Sequence, residues 1–315
     1  MAKNDSLKEG ATKAYNNNNA GSAKTQYNHL RESMRFVDEL RSCGAGVQKW
    51  SNISNKHVSQ VVESWQARGL ATSTIKENLA GVRATAAFFG NDRISEKNSD
   101  FGIENRVYIT NQDKSVPQDV YERVVGELRE SPELNDQRVA AQLELMRELG
   151  LRKEEAFKMN PDRSLLNDGR LFITDGTKGG LNRIVSDLSD SQKSALSNAS
   201  ALAGRNGNTM PDGIKERAWE KIFYKTLAEH GLTKKDCGAS SHGLRHAYAQ
   251  ARYEKVTGFQ PPCKFDSKKS FRDAARNAAG NDWKKIDQDA RLILKSELGH
   301  GPDRDDVVSQ YLGSK

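Results

Sequence analysis

Cysteine is scarce in this chain of 315 residues, with three in all. Cys43, Cys237 and Cys263 are odd in number and far apart, which excludes a disulfide scaffold and any C-x-x-C metal knuckle. Long apolar runs are missing too. Mean hydropathy is −0.79, and no stretch approaches the roughly 18 residues of a membrane-spanning helix, so an integral membrane protein is excluded. Met1–Gly10 is polar and lacks the hydrophobic segment of a secretory signal, so the expected location is cytoplasmic. No internal repeat is visible. What the chain does have is positive charge: 49 Lys and Arg against 42 Asp and Glu, a net +7 with a pI near 9.2. That bias suits a polyanion and no membrane. The length exceeds one ordinary core of roughly 100–150 residues, so two domains are expected.

Residues 1–21 are poor in apolar side chains and include the run Asn16–Asn19, which reads as a flexible tail. Tyr27, Leu30, Met34, Val37 and Leu40 then recur at steps of three and four, the spacing of one buried helix face. Further helices fit Asn55–Ala67, with Val58, Val61, Val62 and Trp65 aligned, and Ser73–Phe89, with Ile75, Leu79, Val82 and Ala86. Residues 22–90 thus form a helical first domain. Residues 1–90 hold twelve Lys or Arg and seven Asp or Glu, so most of the net charge sits there. Polar residues 91–114 read as a linker. Ser115 with Gln118 resembles a capping box opening the second domain, residues 115–315. Val139, Leu143 and Met146 mark a helix that Gly150 closes. Arg170–Thr174 and Asn182–Ser186 are strand-like runs around a glycine-rich turn. Helices resume at Ser189–Ala203, Lys215–His230 and His242–Val256. The expected fold is mainly α, with one small antiparallel β-sheet in the second domain.

Four segments carry reactive side chains: Gly150-Leu-Arg-Lys-Glu-Glu155, Thr177-Lys-Gly-Gly180, Ser241-His-Gly-Leu-Arg-His246, and Leu298-Gly-His300 followed by Tyr311. Taken singly, each has an ordinary reading as surface arginine, solvated hairpin lysine or packed tyrosine. His242 and His246 are spaced i,i+4 as in helical zinc sites, but Gly243 stands where the zinc-protease pattern has Glu. No Cys or carboxylate at ligand spacing completes such a site, so neither metal nor other cofactor is expected.

In this order, the segments resemble the tyrosine recombinase (phage integrase) family. Its motifs are an Arg in G-L-R-x-x-E, a Lys on a β-hairpin, H-x-x-R, L-G-H and a C-terminal Tyr. The helical first domain is similar to the family's core-binding domain. The resemblance implies a site-specific recombinase that cleaves and rejoins duplex DNA through a 3′-phosphotyrosyl link, without metal or ATP. It also implies a homotetramer on two synapsed sites, accessory directionality proteins as further partners, and nucleoid association when DNA is bound.

The chemistry fits the residue types. Stabilising a five-coordinate phosphorus without a metal requires fixed cations. Arg152 and Arg245 would hold the non-bridging oxygens as planar, permanently charged forks. By the resemblance, Tyr311 is the nucleophile, His242 a proton acceptor, His300 a donor to the phosphate and Lys178 the acid for the leaving 5′ oxygen. Glu155 would orient Arg152, and His246 would buttress the site.

Two departures stand out. Arg245 and His300 are 55 residues apart, more than the family's usual interval. The excess, about 259–290, contains Lys264, Lys268, Lys269, Arg272, Arg276 and Trp283; it is read either as an extra DNA- or subunit-contacting helix or as a solvated insertion. The interval from His300 to Tyr311 is also long, and includes Pro302. The segment before the first domain is too short for a separate arm-binding domain. Three alternatives stay open: a type IB topoisomerase-like relaxation enzyme, a non-catalytic DNA-binding regulator derived from an integrase, and a metal-dependent nuclease.

Overall fold

The computed structural model describes residues 5–18, 20–105, 107–301 and 304–314, and the chain divides into two compact units, residues 1–107 and 108–315. Among the described residues no helix is long and apolar enough to cross a membrane.

The first unit is built from α1 (Ser6–Asn17), α2 (Ala23–Ser42), α3 (Asn55–Ala67) and α4 (Thr72–Phe88). Their bulky faces bury Phe36, Leu40, Val58, Val61, Trp65, Ile75 and Leu79 in one core. The expected flexible tail is a correction, because residues 6–17 form α1. Asp5 caps this helix by accepting from the Leu7 amide at 2.9 Å, and its carboxylate also receives Arg41. Leu7, Ala11 and Ala14 bury one face, and Trp50 Nε1 donates to the Leu7 carbonyl at 2.8 Å. The expected linker is corrected as well. Ile94, Phe101 and Ile103 are buried in this first core, and Asn91 ties residues 91–93 down by donating to the Trp50 and Ile53 carbonyls.

The second unit opens with α5 (Gln118–Glu130) and α6 (Leu134–Glu148). The capping box expected at Ser115 does not form. Pro117 takes the cap position, and the Ser115 amide donates to Asp113 instead. Eight consecutive residues of α6, Val139–Met146, are buried. This is the pattern of a helix surrounded by others. Its one buried amide, Gln142, is satisfied by Thr209 and by the Trp219 indole. After α6 come α7 (Lys153–Lys158), α8 (Pro161–Ser164) and the two-stranded antiparallel sheet of β1 (Leu171–Ile173) and β2 (Arg183–Val185). Leu171 pairs with Val185 and Ile173 with Arg183. Then follow α9 (Asp190–Ala201), α10 (Glu216–Glu229), α11 (Lys234–Cys237), α12 (His242–Thr257), α13 (Lys268–Ala279), α14 (Trp283–Glu297) and α15 (Asp305–Leu312). The sequence puts the start of the Tyr311 helix at Asp303, which lies outside the described residues.

Two apolar clusters hold this unit. One gathers α5, α6, the sheet, α9 and α10. The other joins Tyr248, Tyr253, Phe259, Phe271, Trp283, Leu294, Val308, Tyr311 and Leu312. This second cluster decides against a loosely solvated insertion at 259–290. Phe259, Phe271 and Trp283 stack edge to face or tilted in sequence, and they pack in the same core as the Tyr311 helix.

Candidate active site

The polypeptide leaves α6 through Gly150, whose φ of +62° suits glycine, and a Cβ there would meet the Tyr248 ring at 2.4 Å. That close approach lets the next turn lie against α12 and delivers Arg152 to the N-cap of α7. Glu155, one turn on and fully buried, is the hub. Its carboxylate accepts Arg152 Nη1 at 2.7 Å, the Arg152 backbone amide at 2.7 Å, and Arg183 Nη1 and Nη2 at 2.8 and 2.7 Å. Arg245 Nη1 stands 3.9 Å away. Burial alone would raise the Glu155 pKa. The hydrogen bonds and charge of Arg183, the charge of Arg245 and the Arg152 amide outweigh it and hold the carboxyl at about 2.

Arg245 projects from α12 and has no solvent exposure. Its Nη1 donates to the Gly150 carbonyl and its Nη2 to the Leu298 carbonyl at the end of α14. Its Nε donates to the Tyr311 hydroxyl at 3.1 Å, and the guanidinium carbon lies 5.7 Å from that ring's centroid. Arg152 Nη2 reaches the Leu298 and Gly299 carbonyls at 3.4 and 3.5 Å. The two arginines therefore share a carboxylate and a carbonyl. The Arg152 side chain keeps 22% exposure, so the pair has one sealed member and one open to solvent.

Three histidines surround Tyr311. Ring centroids lie 6.0 Å away for His242, 4.7 Å for His246 and 5.8 Å for His300. Surrounding protein lowers the His242 pKa to about 4, with Arg245 and Arg152 adding to the effect, although the ring keeps an exposed face. Burial lowers His246 to about 3, helped by His242 and Lys114. Burial together with Arg245 and Arg152 lowers His300 to about 3. All three are neutral at pH 7. His300 Nε2, His246 Nδ1 and Arg183 Nε are buried without a hydrogen-bond partner among the described residues. Such polar atoms are costly unless a ligand satisfies them.

The structure thus brings together Arg152, Glu155, His242, Arg245, His246, His300 and Tyr311. It does not bring Lys178 into the cluster. That residue sits exposed in the turn between β1 and β2, with no hydrogen bond or ion pair among the described residues. Arg183, on the strand after that turn, is the residue the sequence reading missed. The signal was its register. Arg183 and Val185 are buried while Ile184 points out, so an arginine at an inward strand position demands a buried partner. Among the described residues no three His, Cys, Asp or Glu side chains form a group able to hold a metal ion.

The site thus gathers two arginines, their shared carboxylate and three neutral imidazoles around one phenol. Comparisons with known proteins give the family. The phage integrase N-terminal family model matches residues 7–95, and the integrase family model matches residues 104–251. No curated protein matches the chain in sequence. Among solved structures, a lambda integrase dimer bound to a COC′ core site is similar over 97% of this chain and 76% of its own, with a TM-score of 0.61 and 15% identity. The Tn1549 transposon integrase with a circular intermediate DNA covers 98% and 95%, with a TM-score of 0.60 and 12% identity. The XerH site-specific recombinase bound to a palindromic difH substrate covers 98% and 80%, with a TM-score of 0.60 and 14% identity. At such identities the likeness is one of fold. The chain belongs to the tyrosine recombinase (phage integrase) family.

Proposed function

We propose that this chain is a site-specific DNA recombinase that cuts and rejoins duplex DNA through Tyr311, needing neither metal nor ATP. One observation carries the reading: the Tyr311 hydroxyl accepts a hydrogen bond from the buried Arg245 guanidinium beside Arg152 and three neutral histidines. A phenol is protonated at neutral pH, with an ordinary pKa near 10. Its oxygen attacks only as a base takes the proton, and His242, neutral in the free protein, is able to accept it.

In the forward step the Tyr311 oxygen attacks phosphorus. A P–Oη bond forms, the bond from phosphorus to the 5′ oxygen breaks, and the phenolic proton passes to His242. Lys178 gives a proton to the departing 5′ oxygen. Arg152, Arg245 and His300 hold the non-bridging oxygens while negative charge builds on them. The 5′-hydroxyl of another strand reverses the step, so the bond energy is conserved and strand exchange needs no external source. Glu155 keeps Arg152, Arg183 and Arg245 aimed, and His246 packs beneath Tyr311. The relatives bound as a dimer to a core site, and as a tetramer to a Holliday junction, support assembly of this chain as a tetramer on two synapsed sites. Accessory directionality proteins, and residence on the nucleoid when bound, complete the proposal.

The test is a trap. Covalent protein–DNA complexes are recovered under denaturing conditions from cells expressing the chain, and their junctions are sequenced. Wild type is expected to give adducts at one recurrent sequence, and Tyr311→Phe none. Adducts of undiminished yield in Tyr311→Phe would remove this residue as nucleophile. Adducts scattered without sequence preference would favour the topoisomerase-like alternative.

A further inference from the structure

Tyr311 lies at the end of an eight-residue helix. A helix that short has little stability of its own, and its last carbonyls lack intrahelical partners. Something outside α15 must fix where it ends. The structure supplies a chain of hydrogen bonds for this. Tyr253 of α12 donates its hydroxyl to Asp287 Oδ1 of α14 at 2.8 Å. Asp287 has no solvent exposure. One turn on, Arg291 donates Nε to the two Asp287 oxygens at 2.9 and 3.1 Å. The far end of the same guanidinium reaches α15. Nη1 donates to Ser309 Oγ at 3.1 Å, and Nη1 and Nη2 both donate to the Gly313 carbonyl at 3.2 Å.

We infer that Asp287 and Arg291 form a latch that positions Tyr311 by fixing the C-terminal end of its helix. This rests on the reading of Tyr311 as nucleophile. Among the described residues Arg291 makes no hydrogen bond or ion pair to the phenol, to Arg152 or Arg245, or to the three histidines, so it is a positioning residue. Three features make the latch directional. A cation at a helix C-terminus satisfies the orphan carbonyls and the helix dipole together. The acid precedes the base by four residues, the favoured order for such a pair on a helix. The chain beyond the latch is also held, because Ser314 N donates to Asn111 Oδ1 at 2.6 Å. The opposite end of α14 supplies the Leu298 carbonyl that Arg245 and Arg152 share. One helix therefore sets both the guanidinium pair and the nucleophile. Asp287 falls within the 259–290 excess over the family's usual spacing, and the latch gives that segment a role in presenting Tyr311.

The test compares Arg291→Ala, Arg291→Lys and Asp287→Asn in the full chain. Two quantities are read: amide hydrogen exchange across Val307–Leu312, and single-turnover adduct formation on a nicked duplex carrying the junction sequence from the trap. Arg291→Ala is expected to speed exchange in α15 while leaving α5 and α6 protected. It should slow adduct formation about 10- to 100-fold, the scale of a nucleophile misplaced by about 1 Å. Duplex affinity should stay within about twofold, since the latch contacts no DNA-facing group. Arg291→Lys keeps a donor for the Gly313 carbonyl and should recover part of the rate, which a purely structural defect would not. Asp287→Asn, nearly isosteric, should move both readouts in the same direction, and serves if Arg291→Ala does not fold. Unchanged exchange in α15 would overturn the latch, as would an unchanged adduct rate or a rate loss matched by lost affinity. Tyr311→Phe, run alongside, separates the two ideas. An adduct in that variant would refute the nucleophile, whereas the exchange result speaks for or against the latch alone.

Discussion

Arg245 and Lys178 are two cations assigned to one reaction, and the fold treats them in opposite ways. Arg245 has no solvent exposure, and each of its nitrogens is tied to protein: the Gly150 and Leu298 carbonyls and the Tyr311 hydroxyl. Lys178 is exposed in a glycine-rich turn and pairs with nothing among the described residues. The difference suits the two jobs proposed for them. Charge that develops on non-bridging oxygens appears in one place, so a donor fixed there in advance needs no reorganisation as the barrier is crossed. A proton donor must reach a leaving oxygen whose position depends on the bound strand. For that, an ammonium on a flexible stem at the end of a hairpin is the better device. The same contrast divides stability from activity: Arg245 and its neighbours belong to the core of the second unit, and Lys178 does not.

Glu155→Ala is the severest way to break this contrast. It leaves Arg183 and Arg245 buried without their counter-charge, and should cost about 3–5 kcal/mol in chemical denaturation along with cleavage. A loss below about 1 kcal/mol would show that the hub is not needed to hold the guanidiniums. Arg245→Ala removes one fixed donor to the developing anion, worth roughly 2.7–4 kcal/mol of barrier, so cleavage should fall about 100- to 1,000-fold in single-turnover assays. Lys178→Ala should slow cleavage about 100-fold while stability stays within about 0.5 kcal/mol. A substrate with sulfur in place of the 5′ bridging oxygen sharpens the distinction, because a thiolate leaves without a proton. That substrate should restore Lys178→Ala and leave Arg245→Ala slow.

The last comparison concerns pH. His246 and His300 have folded pKa values of about 3, against about 6.5 for an exposed imidazole. Between these values the unfolded chain binds protons that the folded chain does not. Their contribution is therefore present above about pH 6.5 and lost as pH falls from there. Thermal melts should show a midpoint that is level above pH 7 and declines toward pH 4.5. Glu155, held at about 2, adds its own loss further down, as pH drops below its ordinary 4.5. Bound duplex should flatten the upper part of the decline by placing phosphate beside the imidazoles. A midpoint level from pH 7 to 4.5 would mean that the histidines are not held neutral.

Much of the fold is legible in the sequence wherever large apolar residues recur at helical spacing. The helix expected at Asn55–Ala67 is observed with those ends, and the hairpin strands fall inside the runs proposed for them. The helix α1 is not legible, because its buried face is only Leu7, Ala11 and Ala14 in a polar stretch, and its docking depends on distant Arg41 and Trp50. The 259–290 segment misleads for a related reason. Its exposed lysines and arginines dominate the local pattern, while Phe259, Phe271 and Trp283 show their purpose only once packed together. Within the site, the sequence motifs point to side chains that do converge around Tyr311, apart from Lys178. Arg183 and Arg291 lie in no motif. The first needs the strand register to reveal its inward direction, and the second needs α14 and α15 side by side.

The most direct test of the central claim is mass spectrometry of the protease-digested covalent complex formed in excess chelator. The account predicts one modified peptide, spanning Tyr311, with nucleotide joined through a 3′-phosphate to the phenolic oxygen. Cleaved DNA that carries no peptide, or a peptide modified anywhere other than Tyr311, would contradict it.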